Sequence, residues 1–432
     1  AVGKIDPVSG AELGRYRICS DPSRTSVDLK GDCWAVCRGD GQVYKINNAI
    51  KDCIDKNGNG TIETSSDANG DGTIQGDEML PAGQDECIQF TVQLPGDALL
   101  RAAGVDAENH VWIGQWGGQK LYRLEPNNGQ TVQTISIPVN PYGLAIDQSG
   151  IIWVAGRGGS QLVRVDPNSG QINSYVPPSG CVDPYGIAVD HKGNIWIGNN
   201  GCGGAIAWRF EPDTGNWASA TTDSNPRGIA ASVDGFVYVA NDGASRVAKI
   251  NAETMGLMGY IELGGGRGPV GIGIDSDGYV WAVNHNTSTI TKADPNSLQV
   301  IVEKNVGAGP YTYSDMTGYS LMNFTAPSGS FRTTFEAPLR EPVNWGTLHV
   351  DAELPGEGKT WVSLRARAVN NVAEFGTATW KGPYGPFPPA ALPLDLSQEG
   401  VFGLYIQVEV TLHTKAGGMT PVVKSVAAEA QL

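Results

Sequence analysis

Long apolar runs are missing from this sequence of 432 residues. Because no stretch of about 18 consecutive apolar residues occurs, we predict that no helix of the chain spans a bilayer. Charged residues are also few, at 17%, and acidic side chains outnumber basic ones by 45 to 30. The net charge of −15 disfavours nucleic acid and anionic membranes as partners, since both would repel the chain, and it favours cation binding.

Common enzyme motifs are also absent. The chain has no Gly-x-Ser-x-Gly, no His-Glu-x-x-His, no phosphate-binding loop and only five histidines. It does contain 58 glycines, 26 prolines and seven cysteines. Turn formers at this density favour many short strands, and the cysteines favour an oxidising compartment. The chain begins at Ala1 without a charged-then-apolar leader, as a processed secreted protein would. We therefore expect an extracellular protein, either secreted or on the cell surface.

One motif recurs along the first three quarters of the chain. It combines Pro-x-Gly, a short apolar strand, Asp-x-x-Gly and a strand centred on an aromatic residue, as in 141–153, 184–196 and 269–281. Asp and Gly at these positions favour a type I turn, and a second Pro-containing turn follows in several units. The residue that starts the first turn recurs every 40 to 43 residues: Asp106, Asp147, Asp190, Ser232, Asp275 and Asp315. Four short strands in each period predict one blade of a β-propeller.

The two ends of the repeat region each carry half a blade. Residues 3–17 match a third and a fourth strand, and residues 310–322 match a first and a second. We therefore predict an all-β chain with a seven-bladed β-propeller over 1–323, whose last blade is closed by both ends of that region. Residues 324–432 lose the period and show alternating segments, which predicts a β-sandwich of the galactose-binding or jelly-roll type.

The pattern Pro-x-Gly-Ile-Ala-Val-Asp…Gly-x-Ile-Trp resembles the NHL-like and virginiamycin B lyase-like propellers over about residues 1–323. The resemblance implies the fold. It also implies an alternative function, a metal-assisted lyase acting on a cyclic lactone or a polysaccharide through histidines and a glutamate near the central face. Only His285 is suitably placed for that role, and no Glu-x-His motif accompanies it.

An insertion at residues 51–87 nearly doubles the interval between Asp28 and Asp106. It contains two loops with EF-hand spacing, in which oxygen ligands alternate along the chain and Gly permits the sharp turn. The second loop ends in glutamate and contributes Asp67, Asn69, Asp71, Thr73, Gln75 and Glu78. The first contributes Asp55, Asn57, Asn59, Thr61 and Glu63. Its twelfth position is Ser66, which predicts weaker binding unless Asp67 serves both loops. We predict that Ca²⁺ is the cofactor, with Mg²⁺ a weaker candidate, and that a dockerin-type segment rigidifies the insertion.

Cysteine positions predict three disulfides. Cys53 and Cys87 bracket the calcium segment, while the pairs Cys19–Cys37 and Cys181–Cys202 occupy similar places in their blades. Cys33 is left over and is predicted to be a buried free thiol.

A candidate ligand face follows from aligning the blades on their turn residues. One residue from each second-to-third-strand loop, and one after the first proline of several blades, should share a rim: Arg38, Trp116, Arg157, Asn200, Asp242, His285, Tyr142, Tyr185, Arg227 and Tyr311. This set either lines a shallow pocket or forms a solvated rim without a ligand. No catalytic residue is predicted. We favour a secreted, calcium-stabilised, non-catalytic binding, adhesion or assembly protein, such as a subunit of an extracellular surface fibre. Its partners would be other protein subunits, copies of itself, or an extracellular glycan or protein.

Overall fold

The structure, a computed structural model, describes residues 1–96, 99–178, 183–200, 205–325, 328–355, 360–387, 392–414 and 421–431. The chain divides into two compact units, Ala1–Thr325 and Ala326–Leu432. None of the helices in these ranges is long and apolar enough to cross a membrane.

Strands dominate the first unit. An N-terminal hairpin is formed by β1 (Val2–Ile5) and β2 (Glu12–Tyr16). The first three blades contain β3 (Pro22–Val27), β4 (Cys33–Cys37), β5 (Gln42–Ile46), β6 (Ile88–Gln93); β7 (Leu100–Val105), β8 (Val111–Gln115), β9 (Lys120–Leu124), β10 (Thr131–Ser136); and β11 (Asn140–Ile146), β12 (Ile152–Arg157), β13 (Gln161–Val165), β14 (Ile172–Tyr175). The next three contain β15 (Pro184–Val189), β16 (Ile195–Asn199), β17 (Ile206–Glu211), β18 (Asn216–Thr221); β19 (Pro226–Ala231), β20 (Phe236–Asn241), β21 (Arg246–Asn251), β22 (Leu257–Glu262); and β23 (Pro269–Ile274), β24 (Val280–Asn284), β25 (Thr289–Asp294), β26 (Gln299–Asn305).

Each of these six groups is a four-stranded antiparallel sheet in which consecutive strands pair, and consecutive first strands contact one another. The hydrophobic core lies between neighbouring sheets: Trp112 of one blade, for example, is buried with Ile152 and Val163 of the next. This arrangement confirms the predicted all-β propeller fold, and it confirms that the second-strand aromatics are core residues.

The glycine of the Pro-x-Gly motif allows the first strands to approach closely around the ring axis. A Cβ on Gly186 would lie 2.5 Å from the Arg227 carbonyl oxygen, and one on Gly228 would lie 2.7 Å from the Val270 carbonyl oxygen. Any larger residue would therefore push two blades apart.

The aspartate that starts each first turn also holds the aromatic of the following strand. In blade four, Asp190 accepts hydrogen bonds from the backbone of Lys192 and Asn194 through Oδ1, and from Trp196 Nε1 at 2.8 Å through Oδ2. The same aspartate-to-indole bond, six residues apart, joins four further pairs: Asp28–Trp34, Asp106–Trp112, Asp147–Trp153 and Asp275–Trp281. A local turn signal and a core residue are thus one hydrogen-bonded unit.

A cation lies opposite each of these aromatics on the third strand. In blades one and six, Trp34 pairs with Lys45 and Trp281 with Lys292 in the strand register. Two lysines at this position bond to the next blade: Lys45 Nζ donates to Pro126 O at 2.8 Å, and Lys249 Nζ of blade five donates to Pro295 O at 2.9 Å. These bonds tie blade one to the Pro-containing turn of blade two, and blade five to that of blade six.

The seventh blade is shorter than predicted. Its outer half is the β1–β2 hairpin, which is tied to blade six by a bond from Lys292 Nζ to Pro7 O at 2.5 Å. Its inner position is filled by residues 310–315, where Thr312 Oγ1 accepts from Thr25 N and Asp315 O from Val27 N. The strand pair expected at 310–322 does not form, since α1 (Tyr319–Thr325) replaces the second strand. Leu321 of this helix packs into the apolar core shared by blades one and two.

The second unit contains two antiparallel sheets that share one hydrophobic core, including Trp345, Leu364 and Val408. Its strands are β27 (Ser328–Glu336), β28 (Val343–Glu353), β29 (Thr360–Val369), β30 (Lys381–Phe387), β31 (Leu394–Asp395), β32 (Phe402–Gly403), β33 (Tyr405–Thr414) and β34 (Val422–Gln431). One sheet has the order β27-β33-β29-β30, and in the other β28 pairs with β31, β32 and β34. The jelly-roll or galactose-binding type stays a prediction.

The aspartate unit gives a first testable prediction. Asp275→Ala removes acceptors for Trp281 Nε1 and two backbone N–H groups, and it leaves the buried Lys292 ammonium, 3.1 Å from that carboxylate, without its ion-pair partner. We expect a loss of roughly 3–5 kcal/mol in the free energy of unfolding, because one half of a buried ion pair is costly to leave alone. Urea unfolding followed by tryptophan fluorescence measures it.

Asp147→Ala is the matched control, since Asp147 makes the same turn and indole bonds but no ion pair among the described residues. Its cost should be roughly 1–3 kcal/mol. Equal losses for the two variants would contradict the account.

Candidate functional site

The insertion follows β5 and is closed at its base by the disulfide Cys53–Cys87, as predicted. The predicted pair Cys19–Cys37 is also a disulfide. Cys33 is free, and burial together with the nearby carboxylates of Asp28 and Asp32 raises the pKa of its thiol to about 12. The predicted pair Cys181–Cys202 lies outside the described residues.

The second loop of the insertion is folded around its first and last carboxylates. Asp67 Oδ1 accepts from Gly70 N and its Oδ2 from Gly72 N, both at 2.8 Å. Glu78 Oε1 accepts from Ala68 N and Asn69 N, and its Oε2 accepts from Gln75 N, all at 3.1 Å. Further along, Asp71 accepts from Thr73, whose hydrogen bonds lower the pKa of the Asp71 carboxyl.

The first loop repeats these contacts, but its closing carboxylate comes from another part of the chain. Asp55 accepts from Gly58 N and Gly60 N, matching Asp67. Glu86 Oε1 accepts from Lys56 N at 2.8 Å and Asn57 N at 3.3 Å, and Glu86 Oε2 accepts from Glu63 N at 2.8 Å. These are loop positions two, three and nine, the positions that Glu78 contacts in the second loop. The three backbone bonds, led by that from Glu63, lower the pKa of Glu86.

The EF-hand spacing puts Ser66 at the twelfth position of the first loop, so the sequence motif alone did not identify Glu86. A signal was present in the sequence. Glu86 directly precedes Cys87, and the predicted Cys53–Cys87 bond brings it next to Asp55, two residues after Cys53.

The second loop also docks onto the hairpin that closes the ring. Glu12 of β2 accepts from Ile74 N at 2.7 Å through Oε2, and Glu12 N donates to Gly72 O at 3.3 Å. Ile74 is fully buried, and Arg17 donates to Gly76 O at 3.2 Å. The insertion and the shortened seventh blade are thus joined by side-chain and backbone bonds.

The opposite rim of the ring carries the predicted ligand face, and here three tyrosines meet. Tyr142 and Tyr311 have hydroxyl oxygens 3.0 Å apart, and Tyr185 also hydrogen-bonds to Tyr311. Trp116 lies edge-on to Tyr142 with ring centroids 5.4 Å apart, and His285 lies edge-on to Tyr311 at 5.8 Å. The structure therefore brings these five predicted residues together.

The remaining predicted residues of the face make ion pairs or lie apart. Arg157 lies over Tyr142 and pairs with Asp183 at 2.8 Å, while Arg227 pairs with Asp242 at 2.6 Å. The backbone N–H of Asn200 donates to Asp183 O. Within the described residues, Asn200 forms no hydrogen bond with the tyrosines. The last member, Arg38, forms a two-bond pair with Asp21.

Three residues of this face were missed: Arg24, Arg101 and Tyr313. The Arg24 guanidinium is buried with its carbon 3.3 Å from the Tyr313 ring centroid, and the Arg101 guanidinium lies 4.4 Å from the Tyr142 centroid. Burial and the neighbouring Arg101 charge lower the pKa of Arg24 to about 9. Burial opposes ionisation of Tyr311, but the Arg24 charge and hydrogen bonds from its two tyrosine partners outweigh it and lower its pKa to about 8.

A cavity of about 260 Å³ opens at this face and is lined by Leu99, Arg101, Trp116, Tyr142 and Arg157. Its wall thus combines two guanidinium groups with two aromatic rings.

His285 does not assemble a metal or acid–base centre within the described parts of the chain. Its Nδ1 lies 3.3 Å from the carbonyl oxygen of Pro310, and no cluster of three potential metal-ligating side chains includes it. A general acid or base usually acts with a carboxylate or a second imidazole, and neither contacts His285 among the residues described.

Comparison with known proteins identifies a fold and no family. No family profile matches the sequence, and no curated protein matches it. Among solved structures, virginiamycin B lyase from Staphylococcus aureus is 17% identical and aligns over 68% of this chain and 88% of its own, with a TM-score of 0.53. A streptogramin B lyase structure is 15% identical over 70% and 89%, with a TM-score of 0.55. A functionally unknown protein from Desulfotomaculum acetoxidans is 12% identical over 72% and 95%, with a TM-score of 0.52. At these identities the likeness shows a virginiamycin B lyase-like propeller fold.

Proposed function

We propose that the chain is a calcium-stabilised extracellular protein whose propeller presents a non-catalytic binding face. The observation that carries the proposal is the docking of the insertion onto the ring-closing hairpin through Glu12, Gly72 and Ile74. A cation that orders the insertion would then also order the two-stranded β1–β2 hairpin that closes the ring. The two disulfides of the structure fit an oxidising, extracellular compartment.

The donor set of each loop fits calcium. Ca²⁺ takes six to eight oxygen ligands, including a bidentate glutamate at the end of an EF-hand-type loop. The second loop would offer Asp67, Asn69, Asp71, the Thr73 carbonyl, Gln75 through water, and Glu78. The first would offer Asp55, Asn57, Asn59, the Thr61 carbonyl, Glu63 and, in place of Ser66, Glu86. Each set contains three carboxylates, whose mutual repulsion a divalent cation would relieve.

Glu86→Gln tests the proposed ligand of the first loop. The substitution keeps the size of the side chain but removes a charged bidentate ligand, so calcium affinity at this loop should fall at least tenfold. Glu78→Gln should have the same effect on the second loop. Isothermal titration calorimetry of the chelator-treated protein should show two sites in the wild type and one in each variant.

Asp77→Asn is the matched control, because Asp77 is exposed in the second loop at a position that supplies no ligand in the EF-hand pattern. It should bind two ions. Calcium at 100 times the dissociation constant of a site should stabilise the wild type by about 2.7 kcal/mol for each occupied site, relative to chelator. Wild-type binding by Glu86→Gln, or a melting midpoint that chelator leaves unchanged, would overturn the calcium proposal.

A lyase is the second candidate function, favoured by the fold likeness to the streptogramin-cleaving enzymes and by His285 beside Tyr311. If the face is non-catalytic, a streptogramin B incubated with the protein should stay intact by mass spectrometry, because no carboxylate or second imidazole of the described residues contacts His285. A streptogramin B lyase serves as the positive control. Ring opening that disappears in His285→Ala would establish the enzyme instead.

Assembly into a surface fibre is the structural version of the proposal. It is supported by β27, which among the described strands pairs with β33 alone and lies at the edge of its sheet. Its Phe331 side chain is 39% exposed. An open edge strand with an exposed aromatic can pair with another chain.

Phe331→Lys should therefore abolish assembly, because a charge on an edge strand opposes strand addition. Electron microscopy and light scattering in calcium should show filaments for the wild type and single particles for the variant. Val372→Lys, which changes another exposed apolar residue away from β27, is the control and should assemble. A wild-type protein that stays monomeric at high concentration would rule the fibre out.

A further inference from the structure

On the face that holds the tyrosines, the described arginines outnumber the carboxylates that pair with them. Five arginines meet there, and three of them have carboxylate partners: Arg38, Arg157 and Arg227. Arg24 and Arg101 form no ion pair with any residue that the structure describes, and each has an Nε without a hydrogen-bond acceptor. Acidic side chains outnumber basic ones by 45 to 30 in this chain. Two adjacent guanidiniums without a carboxylate partner among the described residues are therefore unexpected.

Both guanidiniums are taken out of water. Arg24 is 1% exposed and Arg101 is 7% exposed. Arg24 donates to Ser23 O at 2.6 Å and to Ser23 Oγ at 2.8 Å and stacks on Tyr313, whereas Arg101 is held by the ring faces of Tyr142 and Tyr311. The attraction between a cation and a desolvated ring is smaller than the cost of removing an ion from water. Among the described residues, no carboxylate pairs with either of these two guanidiniums.

The cavity beside Arg101 has the chemistry to accept one. Arg101 and Arg157 present guanidinium groups to it, and these planar forks match the two oxygens of a carboxylate. Trp116 and Tyr142 give the same cavity aromatic walls, on which a flat ring can stack. A free inorganic anion would use the guanidiniums but gain nothing from the aromatic walls.

We propose that this cavity binds a carboxylate carried on a six-membered ring, with Arg101 as the principal anion ligand, Arg24 as the buried charge behind it, and Trp116 as the ring-stacking wall. The inference rests on the binding face of the proposed function and names its ligand class. Ring carboxylates of this kind occur in acidic glycans and in aromatic acids, and the shared chemistry is what the site would recognise.

Binding is tested on the calcium-loaded full-length chain by calorimetry and by tryptophan fluorescence. The probes are galacturonate and benzoate, their neutral counterparts galactose and benzamide, and inorganic phosphate. We expect saturable binding of at least one ring carboxylate, at least tenfold weaker binding of its neutral counterpart, and weaker binding of phosphate. Arg101→Gln should weaken the carboxylate at least tenfold, a change equivalent to about 1.4 kcal/mol.

Lys30→Gln is the matched control, since it removes one positive charge from an exposed turn at the opposite ends of the strands. It should bind like the wild type. Arg101→Lys keeps the charge but loses the planar fork and should fall between wild type and Arg101→Gln, which separates recognition from a loss of folding. Trp116→Leu should weaken the ring carboxylate and leave phosphate unchanged.

Equal binding of carboxylate and neutral probes, no saturation by either carboxylate, or unchanged binding in Arg101→Gln would overturn the inference. If phosphate alone binds and depends on Arg101, the site is a simple anion site and the ring-carboxylate assignment is wrong. A neutral ligand that binds the face independently of Arg101 would refute the carboxylate inference while leaving the proposed binding function in place. Conversely, ring opening of a streptogramin would refute the non-catalytic function, while the affinities measured for the ring carboxylates would remain valid.

Discussion

The bond from a turn aspartate to an indole six residues later is the constraint on which the propeller depends. Asp190 shows its full form, because one oxygen closes the turn and the other fixes Trp196 in the core. A cation of the third strand lies opposite each such aromatic, and Lys45 extends from that position to the turn of the next blade. Local turn chemistry, blade packing and blade-to-blade contact are therefore set by one repeated group of three side chains.

The seventh blade, where the ring closes, is not a four-stranded sheet like the others, and the insertion contacts this blade. The seventh blade has only the β1–β2 hairpin as a paired sheet, and its inner position is filled by an extended segment. Lys292 reaches the hairpin from blade six, and Glu12 joins it to the second calcium-type loop from the other side. A cation bound in the insertion would therefore stiffen the β1–β2 hairpin, which is a two-stranded sheet where the other six blades have four strands.

The sequence predicted the features that are encoded locally or repeated. The spacing of Asp and Gly fixed six blades, and the blade register paired Cys19 with Cys37. It failed where the outcome depends on distant partners. Strands were expected at 310–322, but residues 319–325 form α1, whose Leu321 packs into the apolar core shared by blades one and two. Glu86 was missed because it reaches the first loop from outside the motif.

The ligand face shows the same division between local and distant information. Tyr142, Tyr185 and Tyr311 were found because each follows a proline in register. Arg101 aligns with them, but Leu100 occupies the position of the proline, so the proline pattern did not identify Arg101.

Hydrogen exchange of the β1–β2 hairpin with and without calcium tests the central claim most directly. The account predicts that chelation lowers protection in Val2–Ile5 and Glu12–Tyr16 while blade three keeps its protection. Equal protection of the hairpin in both conditions, or equal loss across all blades, would contradict it.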